Sequence, residues 1–457
     1  MKFHVLSSAR KWMGIIFISF FAVSACRKGN DVNYPKDDNL NQTKTYSSEV
    51  ALKWLDLQYK ILLEPQSLKP GLAVMATRFY AYCGVALYES VVPGMPAYQS
   101  LSGQLNGMPV MPFTEVGTAY HWPTCVNAAL AYMTQKMLPL ISAANIFSID
   151  SLENALNVQF QSETDVSTFQ RSFDFGKSVA EMIFNWSGTD GVMTIVNTYP
   201  PFVPPVGPGL WVPTPPNFQP MSLMGYFGGT RTMIPGILDE TLLPPPMEYS
   251  TNPNSNFYIS MNELYSASQS LTAEQRAQAL YWRGTMGGAN SAHWYAILKK
   301  VLIEQGKAAM LDKAALAYCK MGIAGFDAGI SKNKSLYLYN QLRPITYIRN
   351  TLGYSTWNSL FPTNISPGYP ELHAAEHSVY ATAMSSLFGN NYQFSTTGTQ
   401  NQNLPGYNFN SFNDAMIHAT QSRFYAGVGT QEAVDAGIWI GNKTAAFMNN
   451  NIKFLKE

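Results

Sequence analysis

Apolar residues recur at steps of three and four along most of this chain, and this spacing restricts its fold more than any other feature. Such a spacing places the apolar side chains on one face of a helix. It predicts helices over residues 49–63, 73–92, 124–140, 169–186, 307–329, 373–387, 413–427 and 432–449. A capping box formed by Thr272 and Gln275 predicts a further helix start. Because convincing alternating strands are absent from the sequence, we expect an all-α fold, a helical bundle.

Two stretches interrupt the helical pattern. Residues 199–220 contain nine prolines and cannot form the interior of a helix. We expect a long proline-rich strap packed across the bundle by Trp211 and Phe218; the alternative is a wall or lid of a pocket. Residues 389–412 are rich in Asn, Gln, Gly, Ser and Thr, which predicts a surface loop.

The N-terminus has the layout of a bacterial lipoprotein export signal. Lys2, Arg10 and Lys11 precede an apolar run over residues 12–23, and Val-Ser-Ala-Cys then ends at Cys26. The run is too short for a spanning helix, which needs about 20 apolar residues. We therefore expect cleavage before Cys26 and lipid on this cysteine. An ordinary signal peptide with an incidental cysteine is the alternative.

These features divide the chain into a signal peptide (1–25), a lipid-anchored flexible tether (26–45) and a helical domain (46–457). The expected location is the cell envelope, in the outer membrane and facing the periplasm or the exterior, with the membrane as a partner through Cys26. The mature chain carries 27 basic and 29 acidic side chains, a net charge of −2. A balance so close to neutral is not typical of nucleic-acid-binding proteins. The sequence leaves open whether the bundle forms a homodimer.

Cys83, Cys125 and Cys319 remain after processing, each in an apolar helical context. In an oxidising envelope one pair could form a disulfide, and three buried free thiols are the alternative. No Cys-x-x-Cys pair occurs, which excludes cysteine-rich zinc sites.

Three segments in the C-terminal half have the residue types of an oxyanion site. They are YLYNQLRPITYIRN with Arg343, YPELHAAEHS with His373, and SRFYAGVGTQEAVDAG with Arg423. Arginines bind equatorial oxygens in pairs of hydrogen bonds, and backbone N–H groups at a helix start add partial positive charge. A histidine can act as nucleophile or acid.

In this order the segments resemble the motifs of the vanadium-dependent haloperoxidases, whose site is shared with type 2 phosphatidate phosphatases and bacterial acid phosphatases. Further similar segments are RFYAYCGVALYESVVPG, GLWVPTPPNFQP, SLTAEQRAQALYW, SAHWYAI and FDAGI. The resemblance spans roughly residues 45–450 and implies the helical bundle of that family. It also implies oxyanion binding by Arg343 and Arg423, with His373 as the acid–base group.

The chain departs from the family pattern at four positions. Leu336 stands at the position of the family's lysine, and Lys334, two residues away on a helix, is expected to point elsewhere. Glu371 and Leu372 replace the serine and glycine that would bind the oxyanion. Gly429 replaces the histidine that bonds vanadate or becomes phosphorylated.

These departures argue against oxyanion chemistry. A carboxylate about 4 Å from an oxyanion costs about 4 kcal/mol at an effective dielectric constant of 20, or roughly a thousandfold in affinity. Gly429 offers no nucleophile. We predict that Glu371 pairs with Arg343 or Arg423 and closes the anion site. His418, five residues before Arg423, lies on another helix face and is interpreted as an ordinary helix histidine.

An alternative interpretation of the second segment is a zinc site. His373, Glu376 and His377 form His-x-x-Glu-His, in which two histidines on one helix face bind zinc and the glutamate acts as general base. A third protein ligand is then required, and the only later glutamates are Glu432 and Glu457.

Three hypotheses on function follow. The leading one is a pseudoenzyme or binding protein with an unidentified protein or small-molecule ligand and no cofactor. The second is an active haloperoxidase or phosphohydrolase with a rearranged site, for which vanadate would be the cofactor. The third is a zinc hydrolase that uses His373 and His377.

Overall fold

Helices dominate the computed structural model, which describes residues 41–64, 73–138, 141–220, 223–283, 289–305, 310–396 and 406–456. The all-α prediction is confirmed. The α-helices are α1 (Glu49–Leu63), α2 (Ala73–Glu89), α3 (Trp122–Met137), α4 (Ala143–Gln161), α5 (Val166–Ser187), α6 (Val192–Thr198), α7 (Ile237–Glu240), α8 (Asn256–Gln269), α9 (Ala273–Tyr281), α10 (Ala289–Glu304), α11 (Leu311–Tyr339), α12 (Pro344–Asn350), α13 (Leu372–Phe388), α14 (Phe412–Tyr425) and α15 (Gln431–Asn451). Short 3-10 helices cover Thr43–Thr45, Val92–Gly94 and Leu223–Gly229.

A two-stranded antiparallel hairpin lies within the predicted surface loop. Strand β1 (Phe394–Ser395) pairs with β2 (Asn408–Phe409), and Phe394 lies opposite Phe409. Residues 397–405 of this loop lie outside the described part of the chain.

The predicted helix starts agree with the structure where local signals are strong. The capping box at the start of α9 is present, with the Thr272 hydroxyl accepting the Gln275 N–H. Helix α11 was predicted to end near residue 329 but continues to Tyr339. Its last turns carry polar side chains that are nevertheless buried, among them Ser331, Lys332 and Asn333. Apolar periodicity cannot reveal such a segment, because other parts of the fold supply the partners for these polar groups.

Glycines allow the central helices to approach closely. A Cβ atom at Gly84 in α2 would lie 2.7 Å from the carbonyl oxygen of Tyr318 in α11, and Gly322 in α11 stands as close to the backbone of Tyr80. Gly441 in α15 faces the backbone of α13 in the same way. At these glycines the helix backbones touch each other, and no side chain would fit between them. The hydrophobic core packs around these close helix crossings.

The folded body begins before the predicted boundary at residue 46. The Asn41 carbonyl accepts the indole N–H of Trp122 at 2.7 Å, and the buried Thr43 hydroxyl donates to the Val91 carbonyl. The C-terminal end of the predicted tether, 26–45, therefore packs against the helices. The predicted signal peptide and Cys26 lie outside the described residues. No helix among the described residues combines the length and hydropathy needed to span a bilayer.

The proline-rich segment forms the predicted strap and lies beside one arginine of the candidate site. Trp211 is buried, and its backbone N–H donates to the Asn340 carbonyl at 2.8 Å. The Leu342 N–H donates to the Gly209 carbonyl at 2.9 Å. The strap thus holds the chain immediately before Arg343.

The expectation that Phe218 packs this strap onto the bundle was wrong. Its side chain is 60% exposed. Its backbone has a positive φ of 46° and its N–H donates to the Thr214 carbonyl, so a tight local turn leaves the ring at the surface. Proline content alone did not indicate this turn.

The three cysteines are free and buried, so the structure matches the free-thiol alternative. Burial raises the pKa of the Cys83 and Cys319 thiols well above the ordinary value. These thiols are therefore part of the hydrophobic core.

The crossing of α13 and α15 can be tested at Gly441. A Cβ atom there would lie 2.5 Å from the Ala375 carbonyl oxygen and 2.6 Å from the Val379 nitrogen. We expect Gly441→Ala to lower the free energy of unfolding by about 1–3 kcal/mol, because the helices must separate. Urea unfolding followed by circular dichroism measures this change.

Gly229→Ala is the matched control, because Gly229 is exposed and no atom lies within 4 Å of the position that a Cβ atom would take there. Its free energy of unfolding should stay within about 0.5 kcal/mol of the wild-type value. Equal stability of the two variants would contradict the close crossing.

Candidate functional site

The predicted oxyanion residues come together where α12 and α13 begin and α14 ends. Arg343 is the N-cap of α12, Glu371 is the N-cap of α13, and Arg423 lies in the last turn of α14. Their exposures are 1%, 0% and 2%, so all three are buried. Buried charges require partners, and the partners define the site.

Glu371 forms an ion pair with Arg423. Its Oε1 atom lies 3.2 Å from Arg423 Nε, and its Oε2 atom accepts the Ala374 N–H at 2.7 Å. Burial raises the pKa of Glu371, but Arg423, with smaller effects of His373, the Ala374 N–H and Arg343, outweighs burial and leaves this pKa below its ordinary value. The side chain is therefore an ionised carboxylate at the N-terminus of a helix, held by an arginine. Of the two partners that the sequence offered, the structure selects Arg423.

Arg343 binds neutral oxygen atoms. Its Nε and Nη2 donate to the carbonyl and hydroxyl oxygens of Ser366, both at 2.7 Å, and Nη1 donates to the Val428 carbonyl at 3.3 Å. Burial lowers the pKa of Arg343 to about 10, so the guanidinium remains charged at neutral pH.

The Glu371 side chain occupies the space beside Gly429. A Cβ atom at Gly429 would lie 2.7 Å from Glu371 Cγ. A larger residue at position 429 would therefore displace the carboxylate from its present position.

Leu336 is 1% exposed, and Leu372 begins α13 in a half-buried position. Neither apolar side chain can donate a hydrogen bond to an anion.

Lys332 is a buried charge near the site that sequence reasoning missed. It is 5% exposed, pairs with Glu376, and its Nζ lies 3.4 Å from the Leu372 carbonyl. Lys332 precedes Leu336 by one helical turn, so both residues lie on one face of α11. This four-residue spacing was the signal available in the sequence. Lys334 is instead half-buried and its backbone lies against Gly228.

His373 lies between an amide and a carboxylate. Its Nε2 is 3.0 Å from Asn364 Nδ2, and its Nδ1 is 3.5 Å from Glu376 Oε2. Burial and the charge of Arg423 lower the pKa of His373. Burial raises the pKa of Glu376, but Lys332 more than reverses this effect, so Glu376 is an ionised carboxylate.

His377 and Glu376 are engaged in contacts other than metal binding. His377 Nδ1 accepts the indole N–H of Trp294 at 3.0 Å. Of the possible third ligands, Glu432 accepts a backbone N–H at 2.7 Å and Glu457 lies outside the described residues. Within the described ranges, no group of three or more His, Cys, Asp or Glu residues could hold a metal ion. The zinc alternative gains no third ligand from this geometry.

His418 lies on α14 and contacts α9. Its Nδ1 accepts the indole N–H of Trp282 at 2.7 Å, and its carbonyl accepts the Gln278 side chain at 2.6 Å. Burial lowers its pKa to about 4. These contacts give His418 a packing role between two helices.

Residues 317–456 match the family model of the VCPO second helical-bundle domain. The whole fold is similar to a crystal structure of the first bacterial vanadium-dependent iodoperoxidase, with a TM-score of 0.81 and 25% identity, covering 90% of this chain and 98% of that one. It is also similar to bacterial vanadium-dependent chloroperoxidase in its holo form, with a TM-score of 0.64 and 16% identity, covering 86% of this chain and 95% of that one. The apo form gives a TM-score of 0.63 at the same identity, covering 86% and 98%. No curated protein matches the sequence.

The ion pair of Glu371 can be tested by substitution and by pH. We expect Glu371→Gln to lower the free energy of unfolding by about 3–5 kcal/mol at pH 7, because Arg423 is left buried without its anion. The folded pKa of Glu371 lies below its ordinary value of 4.5, so its stabilisation is present above pH 4.5 and is lost as pH falls through the folded pKa. The difference between wild type and variant should therefore narrow below pH 4.5 in urea titrations.

Glu49→Gln serves as the control, because Glu49 pairs with Lys53 at the surface and is 62% exposed. Its effect should be at most about 1 kcal/mol. A difference for Glu371→Gln that stays constant between pH 7 and pH 3 would contradict an ionised Glu371.

Proposed function

Because the chain belongs to the vanadium haloperoxidase superfamily, we propose that it is an envelope lipoprotein that keeps this fold as a binding protein, without the family's oxyanion chemistry. The similar crystal structures are of vanadium-dependent iodo- and chloroperoxidases. Whether this chain has the same activity depends on the residues at its own site.

The observation that carries the proposal is the carboxylate of Glu371. It holds the Nε of Arg423 and the N–H of Ala374, two donors that a bound oxyanion would need. An oxyanion about 4 Å from this carboxylate would be repelled by about 4 kcal/mol. Gly429 supplies no side chain that could bond to vanadium or carry a phosphoryl group. Vanadate therefore does not fit the residues present.

In the proposed protein, the carboxylate of Glu371 takes the place of a bound anion. The carboxylate carries the negative charge, and the helix N-terminus and Arg423 stabilise it, as they would stabilise a bound oxyanion. The proposed protein needs no cofactor, and its ligand is a protein or a small molecule.

A second candidate is an active haloperoxidase or phosphohydrolase with a rearranged site. His373, Glu376 and Lys332 favour it, because the half-buried His373 is aligned by the carboxylate of Glu376, which pairs in turn with the buried Lys332. In this candidate the carboxylate of Glu371 has to leave Arg423 before an oxyanion can bind.

Activity assays separate these candidates. With added vanadate and hydrogen peroxide, we expect no oxidation of bromide or iodide above the protein-free rate, and no hydrolysis of p-nitrophenyl phosphate. The reason is the filled anion site and the missing nucleophile. Vanadate-dependent turnover by the wild-type protein that is lost in Arg423→Ala would overturn the proposal.

The double variant Glu371→Ser/Gly429→His is the positive control. Removing the carboxylate should strengthen vanadate binding by roughly a thousandfold, measured by vanadium-51 NMR. Gly429→His alone should not, because this variant keeps the Glu371 carboxylate, whose negative charge still repels an oxyanion bound nearby. Equal vanadate affinity in wild type and double variant would contradict the blocking role of Glu371.

The envelope location rests on the export signal that ends at Cys26. We expect the protein, expressed in a bacterium with lipoprotein-processing enzymes, to incorporate labelled palmitate and to fractionate with the outer membrane. Cys26→Ser should abolish the label, whereas Cys125→Ser, which changes a buried thiol, should retain it. Label that persists in Cys26→Ser would show that the lipid is attached elsewhere.

A further inference from the structure

Two buried hydrogen-bond donors of the site lack an acceptor. Arg423 Nη1 and His377 Nε2 have no hydrogen-bond partner among the described residues. The two residues are 2% and 1% exposed, so bulk water does not serve them. A buried donor without a partner costs about 1–3 kcal/mol, and two in one region point to a bound acceptor.

The hydrogen atom on His377 is assigned by its neighbour. The indole N–H of Trp294 can only donate, so His377 Nδ1 accepts this bond. Burial, His373 and Arg423 hold the pKa of His377 well below its ordinary value, and the ring is neutral. A neutral ring with an accepting Nδ1 carries its hydrogen on Nε2, which is therefore a donor.

The buried charges around these donors do not cancel. Arg343, Arg423 and Lys332 are positive, whereas Glu371 and Glu376 are negative, and all five are at most 7% exposed. Arg343 contacts only neutral oxygens. Within this group one positive charge is left over, which one monovalent anion would neutralise.

An aromatic ring lies beside each of the two residues that carry these donors. The Trp282 ring centroid lies 5.2 Å from that of His377, and Arg423 Cζ lies 5.3 Å from the Phe361 ring centroid. Arg423 and His377 belong to α14 and α13, which pack against each other. Apolar walls favour a compact ion of low charge over a large or multiply charged one.

We propose that Arg423 Nη1 and His377 Nε2 bind one compact monoanion of the carboxylate or nitrate type. The anion uses a guanidinium nitrogen other than the one that pairs with Glu371, so both negative groups bind Arg423 together. The site deepens the proposed function by naming a ligand class, and it rests on that function because Glu371 stays in place.

Formate and nitrate are the probes that test this site. Isothermal titration calorimetry of the full-length mature protein, with sodium sulfate keeping the ionic strength constant, should show saturable binding of one anion per chain. His377→Phe keeps an aromatic ring but removes the donor and should weaken binding about tenfold. His418→Phe is the matched control, because His418 also accepts an indole N–H, and its affinity should equal the wild-type value.

A lack of saturable binding by the wild-type protein would overturn the inference, as would unchanged affinity in His377→Phe. If His377→Phe does not fold, Arg423→Lys gives the same test, because it keeps a cation for Glu371 and removes Nη1. A crystal structure grown in nitrate that shows only water at both donors would also overturn it. Vanadate-dependent turnover would instead overturn the proposed function, so the two failures are distinguishable.

Discussion

The buried carboxylate of Glu371 is the point on which the arrangement of the site depends. Its side chain pairs with Arg423 of α14 and caps α13 through the Ala374 N–H. Its backbone N–H donates to the Ala433 carbonyl of α15 at 2.7 Å. One residue therefore joins three helices, and Gly429 leaves the space that its side chain fills. Because the carboxylate is fully buried, a change in its charge would weaken the contacts that join these helices.

A buried ion pair adds little stability compared with well-packed apolar residues of the same volume, but breaking it is costly. The Glu371–Arg423 pair is therefore better understood as a constraint that fixes the position of the Glu371 side chain beside Gly429. Lys332 and Glu376 form a second buried pair, and Glu376 Oε2 lies 3.5 Å from His373 Nδ1. The charged side chains of these two ion pairs therefore surround His373, whether or not it acts on a substrate.

The sequence predicted the fold well because its signals are local. Apolar periodicity and the capping box at Thr272 depend on residues within one or two turns of each other. The arginines and His373 were found because each occurs in a short segment with recognisable neighbours. Lys332 was missed because Glu376, the carboxylate that pairs with it, lies 44 positions later in the sequence. Phe218 was misplaced because a single backbone turn, not its hydrophobicity, decides its exposure.

Helix content, the three segments that contain Arg343, His373 and Arg423, and the absence of a side chain at Gly429 were determined by the sequence alone, since each follows from residue type and short spacing. The choice of Arg423 over Arg343 as the partner of Glu371 was decided only by the tertiary structure. So were the space that Gly429 leaves for Glu371 and the two unpaired donors on Arg423 and His377. These features depend on how α13, α14 and α15 pack together, and distances between separate helices are not encoded in any local pattern.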